Sequence, residues 1–348
     1  VHLEQLEKNV TILGIETSCD ETAAAVVRNG REVLSDVVAS QIEFHQKFGG
    51  IVPEIASRKH LEMIQPVISE AMEKAGVNYD DIDAIAVTAG PGLVGALLMG
   101  LGAAKAISYV KDIPLVGVNH LEGHIYANFL SHPDLKPPLV ALLVSGGHTM
   151  LVYMPDFAQY ELLGQTLDDA VGEAYDKIAA FLGLGYPGGP IIDKMSKEGN
   201  PNAIPFPRAM LNKGELNFSL SGLKTAVLTY VSHLNLASKE LPLHDIAASF
   251  QAAIADVLVA KTMQAARMKE VKAIVLGGGV AANEYLRLRM SDEVNREGMS
   301  LYFPKASMCT DNAVMIASAG YPRFLAGERL SLRANPVPNL KLGQEVES

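Results

Sequence analysis

The apolar positions of this chain fall into short blocks separated by small and polar turns, and two of these blocks repeat. Residues 12–26 read ILGIETSCDETAAAV and residues 139–153 read LVALLVSGGHTMLVY. Each is an apolar run, a turn of small and polar residues, and a second apolar run, the signature of a strand–turn–strand unit. Aligning them sets Ser18 against Ser145 and Thr22 against Thr149. A second echo follows in residues 84–92 (AIAVTAGPG) and 273–279 (AIVLGGG). Each reads as a buried strand running into a glycine turn and then a helix, and helix N-termini behind such turns present N–H groups to phosphate. Two similar halves predict two related α/β lobes with a cleft between them, where ligands are expected.

Helical periodicity marks residues 57–76 and 246–267. Residues 183–217, rich in Gly, Pro and Asn, read as a long loop region, and the tail from Ala334 as loosely ordered. The stretch from Ala89 to Val110 is apolar enough to resemble a membrane span. Pro91 and several glycines open it and Lys105 and Ser108 interrupt it, so it is read as a buried helix. No flexible linker is visible, and the lobes are expected to pack closely.

A chain of 348 residues exceeds one typical core, in keeping with two lobes. With 49% hydrophobic and 20% charged residues, the composition is that of a soluble globular protein. The net charge of −10 changes the picture more, because an autonomous nucleic-acid binder is usually basic. RNA binding would need a local basic surface or basic partners. Arg58-Lys59, Arg267 to Lys272, and Arg287 with Arg289 are the candidate clusters, each of which also fits a solvated helix face. The two cysteines, Cys19 and Cys309, make no disulfide framework and fit a reducing cytoplasm. Residues 1–9 are polar and charged and do not read as a signal peptide.

The densest chemistry lies in Asn119-His120-Leu121-Glu122-Gly123-His124, behind the apolar run Pro114 to Val118 and ahead of a helical pattern. Histidines four residues apart share one helix face, where two imidazoles reach one metal ion. The same spacing fits two unrelated histidines at a helix start. A zincin needs His-Glu-x-x-His, with its base directly after the first histidine. Glu122 comes one residue later and is better placed as the capping-box partner of Asn119, so a peptidase reading lacks its base. A third ligand is available in Asp311, within a polar turn entering a helix of small residues, although an aspartate there also fits a helix cap. In residues 165–177, Thr166 and Asp169 form a capping pair. Asp169, Glu173 and Asp176 fall on one helical face, suited to a ribose diol or simply to solvent. Gly183 to Gly188 matches G-x-G-x-x-G but follows a helix rather than a strand, and no P-loop is present. A nucleotide would therefore rest on the glycine turns.

Taken in order, GIETSCDET, NHLEGH, LVSGGHT, DDAVGEAYDK, YPGGP, FSLSGLKT, GGGVAANEYLR and CTDNA resemble the TsaD family, the bacterial-type tRNA threonylcarbamoyladenosine transferases, from Ile12 to Leu330. The resemblance implies two related α/β lobes of the actin-like ATPase (ASKHA, ribonuclease H-like) superfold with a central cleft. The lobes would comprise 10–120 plus 312–333 and 121–311, followed by a tail, 334–348. It implies one divalent metal ion on His120, His124 and Asp311, joining the lobes across the cleft: Fe(2+), with zinc or magnesium as alternatives. By the same carry-over Leu143, Val144, Ser145, Gly146 and Gly147 hold an adenylate. Asp176, Gly189 and Asp193 contact its nucleoside, and Asn283 closes the pocket.

The implied reaction moves the threonylcarbamoyl group of threonylcarbamoyl-AMP onto the N6 amine of adenosine-37, in tRNAs that read codons starting with A. Glu16 and Asp20, on the first hairpin, are candidate general bases by position, and the cysteines are read as small fillers. The implied partners are tRNA, a degenerate paralogue (TsaB) that pairs through the first lobe, and a small ATPase (TsaE), in the cytoplasm and away from membranes. Two rivals differ in chemistry. A non-enzymatic nucleotide-binding scaffold need not keep both histidines and Asp311; the other is a small-molecule kinase or carbamoyltransferase of the same superfold, and a kinase would want a catalytic aspartate at a sugar hydroxyl.

Overall fold

The computed structural model describes residues 9–211, 214–237, 240–344 and 346; most of the polar N-terminal stretch, residues 1–8, lies outside the described residues. Contacts divide the chain into Val1–Asp134 with Thr310–Ser348, and Leu135–Cys309.

The first unit is built on strands β1 (Thr11–Glu16), β2 (Glu21–Arg28), β3 (Glu32–Ser40), β4 (Ala84–Gly90) and β5 (Leu115–Asn119), in the order β3-β2-β1-β4-β5. β1 pairs antiparallel with β2 and parallel with β4, and β5 extends the sheet in parallel. β1 and β4 are buried along their whole length, as expected of central strands covered on both faces, whereas the edge strand β3 buries only scattered positions. Its helices are α1 (Ile42–Gln46), α2 (Pro53–Ala75), α3 (Val94–Lys111), α4 (His120–Ser131) and, at the far end of the chain, α10 (Ala313–Leu325). Pro53 opens α2 and Gly76, at φ 66°, closes it.

Side chains alternate across a strand, so Leu13 and Ile15 join Ile64, Ile68 and Leu101 of α2 and α3, while Gly14 faces α10. A Cβ on Gly14 would strike the Ala313 carbonyl, so glycine is what lets α10 approach β1.

The second unit carries β6 (Leu139–Val144), β7 (Thr149–Met154), β8 (Glu161–Gln165), β9 (Ala273–Gly277) and β10 (Ser300–Tyr302), ordered β10-β9-β6-β7-β8. Read from the other edge, this is the order of the first sheet with β6 in the place of β1, and the pairing directions match. The internal repeat of the sequence is thus a repeat of topology. Helices α5 (Val171–Phe181), α6 (Gly188–Ser196), α7 (Ser221–Leu236), α8 (Leu243–Met268) and α9 (Glu284–Arg296) complete the unit. α8 is buried along most of its length and anchors the core with Phe250, Ile254 and Leu258.

Four expectations change. α4 packs on β5 and α10 and so belongs with the first unit, not with a second lobe beginning at residue 121. The region 183–217 is not all loop, since it contains α6. The tail is tied down: Val337 N–H donates to the Ala89 carbonyl (2.8 Å) and Asn119 Nδ2 to that of Leu340 (3.3 Å). α3 is not a buried helix, because Val94, Leu98, Tyr109 and Val110 stand exposed along it. By length and composition α3 and α8 are both apolar enough to cross a membrane, but α8 is the core helix of its unit.

Candidate functional site

Asn119 ends β5 and caps α4, its side-chain oxygen accepting from Leu121 N–H at 2.9 Å. The first helical residue is then His120, and His124 lies one turn on, on the same face. Asp311 immediately precedes Asn312, whose side chain caps α10 by accepting from Met315 N–H. With the cap supplied by its neighbour, the Asp311 carboxylate is directed to the histidines. Its Oδ1 lies 3.4 Å from His120 Nε2 and 3.3 Å from His124 Nε2.

Metal–ligand bonds of about 2.0–2.2 Å set adjacent donors roughly 3.0–3.5 Å apart, so these separations are those of ligand edges. The three donor atoms all lie within 4.8 Å of one another. His124 is buried, its Nδ1 lacks a hydrogen bond and its Nε2 has only the Asp311 carboxylate beside it, too poorly aligned to count as one, a costly state that a cation between Nε2 and Asp311 would relieve in part. The residues therefore fit a divalent ion, and His₂-carboxylate ligation suits iron or zinc. All three ligands belong to the first unit, so the expected bridging of two lobes is corrected.

Behind His120 sits Glu16, at the end of β1 and without solvent exposure. Its Oε2 accepts from Thr88 Oγ1 (2.6 Å) and lies 3.0 Å from His120 Nδ1, while Oε1 accepts from Ser18 N–H. Parallel pairing sets Ile15 beside Val87, which is what brings Thr88 to Glu16. Burial opposes ionisation of Glu16, but the imidazole beside it holds the carboxyl below its usual range. Burial likewise opposes charge on His120, yet Asp311 and Glu16 raise it well above an ordinary histidine. Asp311 is held far below the carboxylate range, burial notwithstanding, by His120 and His124.

Glu16 was one of two candidate bases. With both oxygens engaged and no exposure, it is out of reach of a substrate proton. The other, Asp20, sits on the turn of the same hairpin and is also largely buried. Beside it, burial and then the Asp311 and Asp20 charges push Glu21 up to about 10.

Glu122 does not form the expected capping box. Its carboxylate turns to α10, with Arg323 Nε at 2.8 Å, and Arg323 Nη1 also reaches Glu328 at 2.6 Å. No base stands where a zincin has one.

In the second unit, Leu143 and Val144 end β6 with buried side chains, so the turn beyond them is what a ligand would meet. Ser145 Oγ accepts from His148 N–H and the Ser145 carbonyl from Gly172 N–H, which brings the start of α5 against the turn. A Cβ added at Gly146, Gly147, Gly189 or Gly279 would meet nothing within 4 Å. Asp176 accepts from Gly188 N–H at 2.7 Å and so holds the start of α6. Asn283 Nδ2 donates to Asp193 Oδ1 (3.0 Å) and Gln251 Oε1 (2.8 Å).

Asp193 and Asn283 are thus brought together, and Gly189 lies beside the Asp176 contact. Asp169 lies before α5 and pairs with Lys177 and Lys224. The basic clusters are mostly engaged: Arg287 with the Ala281 and Pro304 carbonyls and Cys309 Sγ, Arg289 with Asp256, Arg267 with Glu297, Lys59 with Glu62. Thr88, Arg323 and Gln251 are residues of these networks that local sequence patterns did not single out.

A profile of the tRNA N6-adenosine threonylcarbamoyltransferases matches residues 32–318. A tRNA N6-adenosine threonylcarbamoyltransferase of Clostridium botulinum (strain 657 / Type Ba4) is 55% identical over 339 residues, covering 97% of this chain and 100% of the relative. The protein of that name in Clostridium kluyveri (strain NBRC 12016) is 54% identical over 340 residues, covering 97% and 100%. Among solved structures, T. kodakarensis HypF aligns with a TM-score of 0.63 at 17% identity, over 92% of this chain and 48% of that one. Component A of the Acidaminococcus fermentans (R)-2-hydroxyglutaryl-CoA dehydratase aligns with a TM-score of 0.54 at 15% identity, over 90% and 98%. At these identities the likeness shows the fold alone, that of the actin-like ATPases.

Proposed function

Because the chain belongs to the tRNA N6-adenosine threonylcarbamoyltransferase family, we propose that it transfers threonylcarbamoyl from threonylcarbamoyl-AMP to the N6 amine of adenosine-37, in tRNAs reading codons that start with A. The observation that carries the chemistry is the His120–His124–Asp311 cluster at ligand-edge spacing. A divalent ion there, iron before zinc or magnesium, supplies Lewis acidity to the donor's oxygens. The donor is a mixed anhydride. The amine nitrogen bonds to the carbamoyl carbon, the carbon–oxygen bond to phosphate breaks, AMP leaves, and the amine loses one proton. With Glu16 committed to His120, Asp20 is the carboxylate we assign to take that proton.

In the second unit, the N–H groups of the Ser145-Gly146-Gly147 turn hold the phosphate, and the open Cα positions at Gly146 and Gly147 support this. Asp176, Gly189 and Asp193 contact the nucleoside, with Asn283 closing over it. The weakly basic amine needs this fixed geometry, since orientation supplies much of the rate in such a transfer.

The degenerate paralogue docks on the first unit, and α3 supports this. Val94, Leu98, Gly102, Ala106, Tyr109 and Val110 form an exposed stripe of apolar and small residues at helical spacing, suited to close contact with another helix. The small ATPase and the paralogue share RNA binding with this acidic chain, in the cytoplasm. Purified chain, partner subunits, unmodified tRNA and threonylcarbamoyl-AMP test the reading by nucleoside mass analysis. Threonylcarbamoyladenosine is the expected product; its absence with active partners would favour a scaffold.

A further inference from the structure

We infer that Glu16 is the positioning residue of the metal centre: its carboxylate fixes the tautomer and ring orientation of His120, so that Nε2 is the metal-binding nitrogen. The inference rests on the metal reading above. Both Glu16 oxygens already accept a hydrogen bond, Oε1 from Ser18 N–H and Oε2 from Thr88 Oγ1. Glu16 Oε2 receives Thr88 Oγ1 at 2.6 Å and meets His120 Nδ1 at 3.0 Å, so Nδ1 carries the proton. The Nε2 lone pair is then left on the side of Asp311, 3.4 Å away.

The carboxylate cannot easily swing off. Ser18 N–H occupies its other oxygen, the residue has no solvent exposure, and it leaves the end of a strand paired on both sides. Ser18 Oγ stands 3.1 Å from the same Nδ1. The strand end and the hairpin turn thus meet at one imidazole nitrogen, and β4 braces the carboxylate through Thr88. Partners of this kind orient metal-binding histidines and raise their basicity, and losing one weakens metal affinity about 10–100-fold.

The test is metal affinity, not turnover. Co(II) is titrated into the full chain against a competing chelator and followed by visible absorption, for wild type, Glu16→Gln and His124→Ala. Glu16→Gln keeps the shape but removes the charge. It should bind Co(II) about 10–100-fold more weakly, with an altered ligand-field spectrum, while its circular dichroism shows the folded chain. Wild-type affinity and spectrum in Glu16→Gln would overturn the inference. Wild-type affinity in His124→Ala would instead overturn the metal reading beneath it. If Glu16→Gln does not fold, Thr88→Val decides, because it removes the hydroxyl that donates to the carboxylate oxygen facing Nδ1 without touching the ring. Weaker Co(II) binding in Thr88→Val supports the inference, and unchanged binding contradicts it.

Discussion

Glu122 Oε2 lies 2.8 Å from Arg323 Nε, a buried ion pair between the helix that carries both histidines and the helix that follows Asp311. The pair locks α4 to α10 and so fixes the spacing of three ligands that are far apart in the chain. Removing one partner of a buried pair typically costs about 3–5 kcal/mol, and without Glu122 the Arg323 guanidinium keeps Glu328 as a partner through Nη1 while Nε loses its own. Glu122→Ala should lose that much in urea unfolding of the metal-free protein. A loss below about 1 kcal/mol, the range of exposed pairs, would mean that Glu328 or water satisfies Arg323 without Glu122 and that the pair does not lock the two helices.

His124→Ala removes one of the three ligands but only part of one buried side chain. The variant should fold, elute as wild type does, and retain no stoichiometric metal by elemental analysis. Normal metal content would show that the ion sits elsewhere.

Asp176 holds the start of α6 through Gly188 N–H. Asp176→Ala should weaken binding of an adenine nucleotide, measured by calorimetry, by about 10-fold, the equivalent of one hydrogen bond to a charged group. Metal content should not change. Loss of metal together with nucleotide would mean the two sites are not independent.

Lys261 is buried in α8 and donates to the carbonyls of Met210 (3.2 Å) and Glu215 (2.5 Å). Lys261→Met keeps the stem but leaves both carbonyls without their donor. A cost of about 1–3 kcal/mol is expected, with faster protease cleavage between Arg208 and Phe218. Cleavage at the wild-type rate would show that other contacts hold Met210 and Glu215 in place.

What could be read from the chain before folding was what repeats locally. The two hairpins share a pattern within fifteen-residue windows, and β6 accordingly takes the place of β1 in its sheet. His120 and His124 were legible as a pair because a helix carries its own ruler. What escaped was set by partners distant in sequence. Glu122 looked like a cap because Arg323, its ion-pair partner, is 201 residues away, and Glu16 looked like a base because Thr88 and His120 are 72 and 104 residues away. α6 was hidden because Gly188-Gly189-Pro190 is poor helix sequence. Packing overrides propensity there, with Ile192 fully buried in the core. The exposed face of α3 was missed because composition reports how apolar a helix is, not which side is covered.

The most direct measurement is metal add-back in the transfer reaction. The chain is stripped with chelator, combined with active partner subunits, unmodified tRNA and threonylcarbamoyl-AMP, and titrated with Fe(II) without oxygen. Threonylcarbamoyladenosine in the digested tRNA should be absent at the start, rise to a plateau at one metal per chain, and stay absent in His124→Ala. Product formed at the full rate before any metal is added, or equally by His124→Ala, would contradict a transferase that works through a metal on His120, His124 and Asp311.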